Sequence, residues 1–133
     1  MVARRAFARL IDSLGNRHPL TLATGSVLAG VLDQQGEHAP AREFHTEAVE
    51  GIRAKLGDEH RTTLDILFSF AEHLEATGEY SRALEILNLA LPGHVQQYGK
   101  EHPYTLQLKA NASDLGPKGL AFRAWSLVDP DRK

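Results

Sequence analysis

No cysteine occurs among the 133 residues of this chain. Disulfides, thiolate nucleophiles and thiolate-bound metals are therefore excluded together. The absence suits a reducing compartment, and a cytoplasmic location is expected. Long apolar runs are missing too, and nothing approaches the roughly 20 residues of a membrane span. Arg4, Arg5 and Arg9 interrupt the apolar residues of the first 14 positions, so the chain lacks a signal-peptide core there. A concentrated positive charge is also absent. The formal net charge is −2, which argues against a duplex-binding face, and no nucleic-acid partner is expected. What is present is ordinary for a soluble globular protein: 42% hydrophobic and 24% charged residues. The length suits one domain with one continuous core. Charge is unevenly spread, with a basic start (Arg4, Arg5, Arg9, Arg17) and an acidic stretch between Asp33 and Glu59.

A repeat of 42 residues organises the chain. Gly15, Gly57 and Gly99 stand in one register, His18, His60 and His102 in another. Thr21, Thr63 and Thr105 keep the same step, as do Leu22, Leu64 and Leu106. Ala6, Ala48 and Ala90 form a further set, and the pairs Ala29/Ala71, Leu32/Leu74, Gly36/Gly78 and Ala41/Ala83 complete it.

Each unit reads as two helices. Pro19 and Pro103 suit a first helical position, where the missing N–H goes unused. Arg61 takes that place in the second unit, which weakens the expected start. Leu22, Leu28, Ala29 and Leu32 recur at helical spacing, as do Leu64, Phe70, Ala71 and Leu74. Gly36 and Gly78 then end the first helices as left-handed caps. Second helices are predicted over about His38 to Leu56 and Tyr80 to Tyr98, closed by Gly57 and Gly99. Alanines at 41, 48, 83 and 90 allow close helix approach. No such helix buries its apolar stripe alone, so successive pairs must stack. The expected fold is all-α, a solenoid of antiparallel helix pairs. Residues 1–14 form the second helix of a partial unit, 15–56 and 57–98 two full units, and 99–133 a degenerate one.

The segments GNRHPLTL, GDEHRTTL and GKEHPYTL, with GEYSRA at Gly78 to Ala83, resemble the tetratricopeptide repeat in its longer, kinesin-light-chain-like form. The resemblance spans roughly Gly15 to Ser113. It implies a right-handed superhelix whose first helices line a concave peptide-binding groove. Members often carry paired asparagines in the first helix. The matching positions here are Ser26 and Val27, Phe68 and Ser69, Ala110 and Asn111, so only Asn111 keeps the pattern.

Two prolines predict irregularities. Pro92, inside the second helix of the second unit, should kink or break it near Leu91. Gly116 and Pro117 should end the third unit's first helix early, leaving Leu120 to Val128, with Phe122 and Trp125, as a bulky capping helix. The chain begins in a second helix and stops early in another. It is expected either to be cut from a longer protein or to pair its open ends with a second copy.

No catalytic constellation emerges. Gly93 to Lys100 ends in Gly-Lys but has the wrong spacing for a phosphate loop, and Glu101 replaces the magnesium-binding hydroxyl. No nucleophile elbow or dinucleotide fingerprint is present. Among the seven histidines no pair sits at i, i+3 or i+4, the spacing that puts two ligands on one helical face. His18, His60 and His102 instead precede helices, where an imidazole can bond loose backbone groups. The expectation is no enzyme, no cofactor and no metal site.

The groove that the resemblance implies would present Asp65, Phe68, Glu72 and Glu75 as one stripe. By register Asp33 matches Glu75 and Asp114 matches Glu72, and Asn111 lies on a neighbouring face. This is an acidic strip with one large apolar residue near its middle. A basic peptide is the partner it suits, steered by carboxylates while Phe68 covers an apolar side chain. The plainer reading is a solvated helix face with Phe68 turned into the stack. The expected function is a non-catalytic protein–protein interaction scaffold. Alternatives are a self-associating structural module, a regulatory fragment of a larger signalling protein, or a helical metal-binding protein or enzyme.

Overall fold

The structure is a computed structural model that describes residues 2–128, with side chains described for 4–115. It contains α1 (Val2–Leu14), α2 (Pro19–Gln34), α3 (His38–Leu56), α4 (Arg61–Ala76), α5 (Tyr80–Tyr98) and α6 (Pro103–Val128). No strand occurs among the described residues, and none of the helices is long and apolar enough to cross a membrane.

The repeat determines where helices start and stop. His18, His60 and His102 each accept a hydrogen bond at Nδ1 from the backbone N–H two residues on, at 3.1 Å in every case. One of the loose donors of each helix start is thereby satisfied. The cap at His60 is the same with Arg61 as with proline, so the second unit starts as firmly as the others. At the far end of α2, Gly36 N–H bonds to Asp33 and Glu37 N–H to Leu32; Gly78 and Glu79 repeat this on Glu75 and Leu74. These paired bonds require a left-handed residue, and both glycines sit at φ +80°.

Each helix packs on the next in sequence, and α2 also lies against α4. Helix pairs thus stack into a repeat solenoid. The main core runs from Leu22 through Ile52, Leu64, Leu67, Phe70 and Leu74 to Leu87, Leu108 and Leu115. A smaller cluster of Leu28, Ala29, Leu32 and Ala41 is closed by Phe7 and Phe44, whose rings meet edge to face at 5.3 Å. Each fully buried leucine contributes about 1.5–3 kcal/mol by leaving water.

Gly51 and Gly93, also 42 apart, set the closest approaches within the pairs. A Cβ at Gly51 would stand 2.8 Å from the Leu22 methyls, and one at Gly93 2.8 Å from Leu64 and 3.0 Å from the Asp58 carbonyl oxygen. α5 continues through Pro92 as one helix, so the expected break does not occur. Proline forfeits one backbone bond, while the helix on both sides stays packed through Leu87, Ala90, Gly93 and His94. α6 likewise runs past Gly116 and Pro117 to Val128 rather than ending early. The side chains of Phe122 and Trp125 lie outside the described residues.

Candidate functional site

Four of the seven residues expected to face a partner border two different depressions, and the other three line neither. Asp65 and Phe68 border a depression of about 730 Å³ between α4, α5 and the start of α6. Asp33 and Glu72 border another, of about 350 Å³, between α2 and α4. Glu75 and Asp114 are exposed, and Asn111 is half-buried, accepting a hydrogen bond from Gln107 at 3.1 Å.

The larger depression has an aromatic wall. Tyr98 and Tyr104 meet edge to face at 5.4 Å, and the His102 ring lies 4.9 Å from Tyr98 and 4.8 Å from Tyr104. Phe68 is half-buried, packed against the main core while also bordering the depression. Asp65 is exposed at the rim, and Arg61 covers the Tyr98 ring at 5.3 Å. His94 is 7% exposed beneath them. Burial depresses the His94 pKa; the Asp65 carboxylate opposes this and His102 adds to it. Aromatic faces beside a carboxylate suit a side chain with an apolar stem and a cationic head.

The smaller depression leads to a group that was not expected. The Asp33 carboxylate, at the end of α2, faces three imidazoles. His45 Nε2 lies 2.9 Å from Oδ2, while His38 Nδ1 and His73 Nδ1 lie 2.8 and 2.7 Å from Oδ1. Burial works against the ionised carboxylate, but the hydrogen bonds from His38, His45 and His73 outweigh it and hold the Asp33 pKa below its usual value. For His45, burial lowers the pKa, Asp33 pulls it back, and His73 lowers it further. Asp33 is thus engaged inward. Glu72 stays at the rim, its pKa raised by partial burial and then by the neighbouring Glu75 charge.

His38, His45 and His73 escaped the sequence reading because the i, i+3 and i+4 test examines one helix face at a time. They belong to α3 and α4, and their meeting point belongs to α2. The 42-residue register held a usable signal: His45 and His73 stand where the next unit has Leu87 and Leu115. Tyr98 and Tyr104, passed over as parts of the repeat punctuation, likewise acquire a role only when α5 and α6 fold together.

Among curated proteins no match to the chain is found. The family model described as tetratricopeptide repeat matches residues 28–94, half of the chain.

Proposed function

Because this chain belongs to the tetratricopeptide repeat family, whose repeats generally mediate protein–protein interaction, we propose that it is a non-catalytic module that binds a basic peptide segment. The observation carrying this reading is the aromatic depression of about 730 Å³ with Asp65 at its rim. Tyr98, Tyr104 and Phe68 supply rigid contact area at small entropic cost, and Asp65 orients a lysine or arginine head. Glu72, Glu75 and Asp114 extend the negative field along the neighbouring surface, and Asn111 offers an amide to the peptide backbone. Asp33, engaged by three imidazoles, contributes to this field only indirectly.

The test is selection of a random peptide library on the intact chain, followed by affinity measurement for the enriched sequences. Peptides pairing a basic with a large apolar residue are expected. Asp65→Lys should weaken them about tenfold or more, equivalent to roughly 1.4 kcal/mol. Raising salt should weaken the wild-type complex, because rim charges are screened. Enrichment of acidic or purely apolar peptides, or affinity indifferent to Asp65→Lys, would remove the basic-peptide reading.

A further inference from the structure

We propose that Asp33, His45 and His73, with His38 at the open side, form a binding site for a divalent transition-metal ion of the Zn2+ class. This rests on a different part of the molecule from the peptide-binding reading and stands apart from it.

The donor set comes first. Ligand atoms of Asp33, His45 and His73 all lie within 4.8 Å of one another. A tetrahedral zinc centre with bonds of about 2.0–2.2 Å places its donors roughly 3.3 Å apart. The carboxylate–imidazole separations of 2.7–2.9 Å are slightly tighter than that. Side-chain rotation would open the space between oxygen and nitrogen and close the widest separation between ligand atoms, up to 4.8 Å. Two imidazoles and one carboxylate select Zn2+ and its neighbours over Mg2+ or Ca2+, which prefer oxygen alone. His38, its side chain 40% exposed and its Nδ1 already at Asp33, is placed as the fourth donor.

The surroundings come second. The His45 and His73 side chains are fully enclosed, whereas Asp33 is 15% exposed and opens with His73 onto the depression between α2 and α4. The group is therefore closed inside and reachable from outside, as a metal site must be.

The repeat supplies the third observation. At the next junction the positions equivalent to Asp33, His38, His45 and His73 hold Glu75, Tyr80, Leu87 and Leu115. Leu87 and Leu115 are 2% and 1% exposed, ordinary core leucines. The fold thus packs at these places without imidazoles. Two buried histidines are a costly replacement, since His45 Nδ1 and His73 Nε2 find no hydrogen-bond partner among the described residues. A metal on His45 Nε2 and His73 Nδ1, the nitrogens that face Asp33, gives both rings a function that packing does not, while the opposite nitrogens keep no partner. With no outer hydrogen bond on either ring, affinity should fall about 10–100-fold below that of a fully supported site.

The experiment uses the tag-free chain stripped with EDTA. ZnCl2 is titrated by calorimetry, bound metal is counted after dialysis, and thermal melts are recorded with Zn2+ and with Mg2+. The expected result is one Zn2+ per chain and a Tm rise that saturates at that ratio, with no response to Mg2+. His45→Leu combined with His73→Leu should weaken binding at least 100-fold while keeping the helical spectrum, because leucines already serve at the equivalent positions. Should that variant fail to fold, Asp33→Asn removes the anionic ligand with little change of shape and should also abolish stoichiometric binding. His38→Ala should weaken it about tenfold. No binding at 100-micromolar Zn2+ overturns the proposal. So does undiminished binding by the folded variants, which would locate the ion on other histidines such as His94 and His102.

Discussion

The two inter-unit junctions of the solenoid use the same register for opposite ends. At the first, α2 and α4 approach within 8 Å between Cα atoms; among the described residues α4 and α6 do not. The first junction is filled from within by Asp33 and its imidazoles. The second is filled by Leu87 and Leu115 but open at the surface, where Phe68, Tyr98 and Tyr104 stand in the register of Ser26, Leu56 and Thr62. The rings of Phe68, Tyr98 and Tyr104 line a depression of about 730 Å³ at the second junction, against about 350 Å³ between α2 and α4 at the first. Two copies of one backbone plan thus yield a polar interior at one junction and an aromatic mouth at the other.

Substitutions in matched register test that contrast. The largest effect is expected at the apolar junction, where Leu87→Ala should cost about 2–5 kcal/mol in urea unfolding through the cavity it leaves. In the metal-free chain, His45→Leu at the equivalent position should cost no more than about 1.5 kcal/mol, because a buried polar group is exchanged for a well-packed apolar one. Equal losses at both sites would erase the distinction between the two interiors.

Next in size is the pair of close-approach glycines. Gly93→Ala should destabilise by about 1–3 kcal/mol, since its Cβ meets backbone at Asp58 as well as Leu64. Gly51→Ala meets only Leu22 methyls, which can turn aside. The helix-propensity gain of about 0.8–1 kcal/mol should leave it near neutral. Matching denaturation midpoints for the two variants would show that the approach at Gly93 is no tighter than at Gly51.

The smallest effect concerns acid. His94 faces Asp65 from α4 and the rings of Tyr98 and His102, and its pKa is depressed in the folded state. The unfolded chain therefore binds more protons once pH drops below about 6.5. The stabilisation from a neutral, buried His94 is complete above that pH and declines as pH falls toward the depressed value. In a metal-free His45→Leu background, His94→Leu should flatten the remaining loss of stability between pH 6.5 and 5. An unchanged slope would assign the acid response to other groups.

Much of this architecture was legible before folding because the repeat writes its own punctuation. The bounds of α3 and α5 agree with the sequence reading to the residue, and the histidine caps formed where the pattern put them. The helix breaks expected at proline do not occur. Pro92 and Pro117 each remove a single backbone bond, and the helices run on around them. The candidate sites were less legible, for a geometric reason. Asp33 and His73 are 40 residues apart and meet only because α2 and α4 lie side by side. Asp65 and Phe68 belong to one stripe, but the rings that turn them into a depression come from α5 and α6.

The sequential packing of the helices also sets the order in which the molecule can assemble. Nearly every contact joins a helix to its neighbour in the chain, so little loop entropy stands between an extended unit and a closed one. During synthesis α2 and α3 can pair as soon as both have emerged, and each later helix finds a finished surface waiting. The longest wait falls to Asp33, whose partner His73 arrives only with α4.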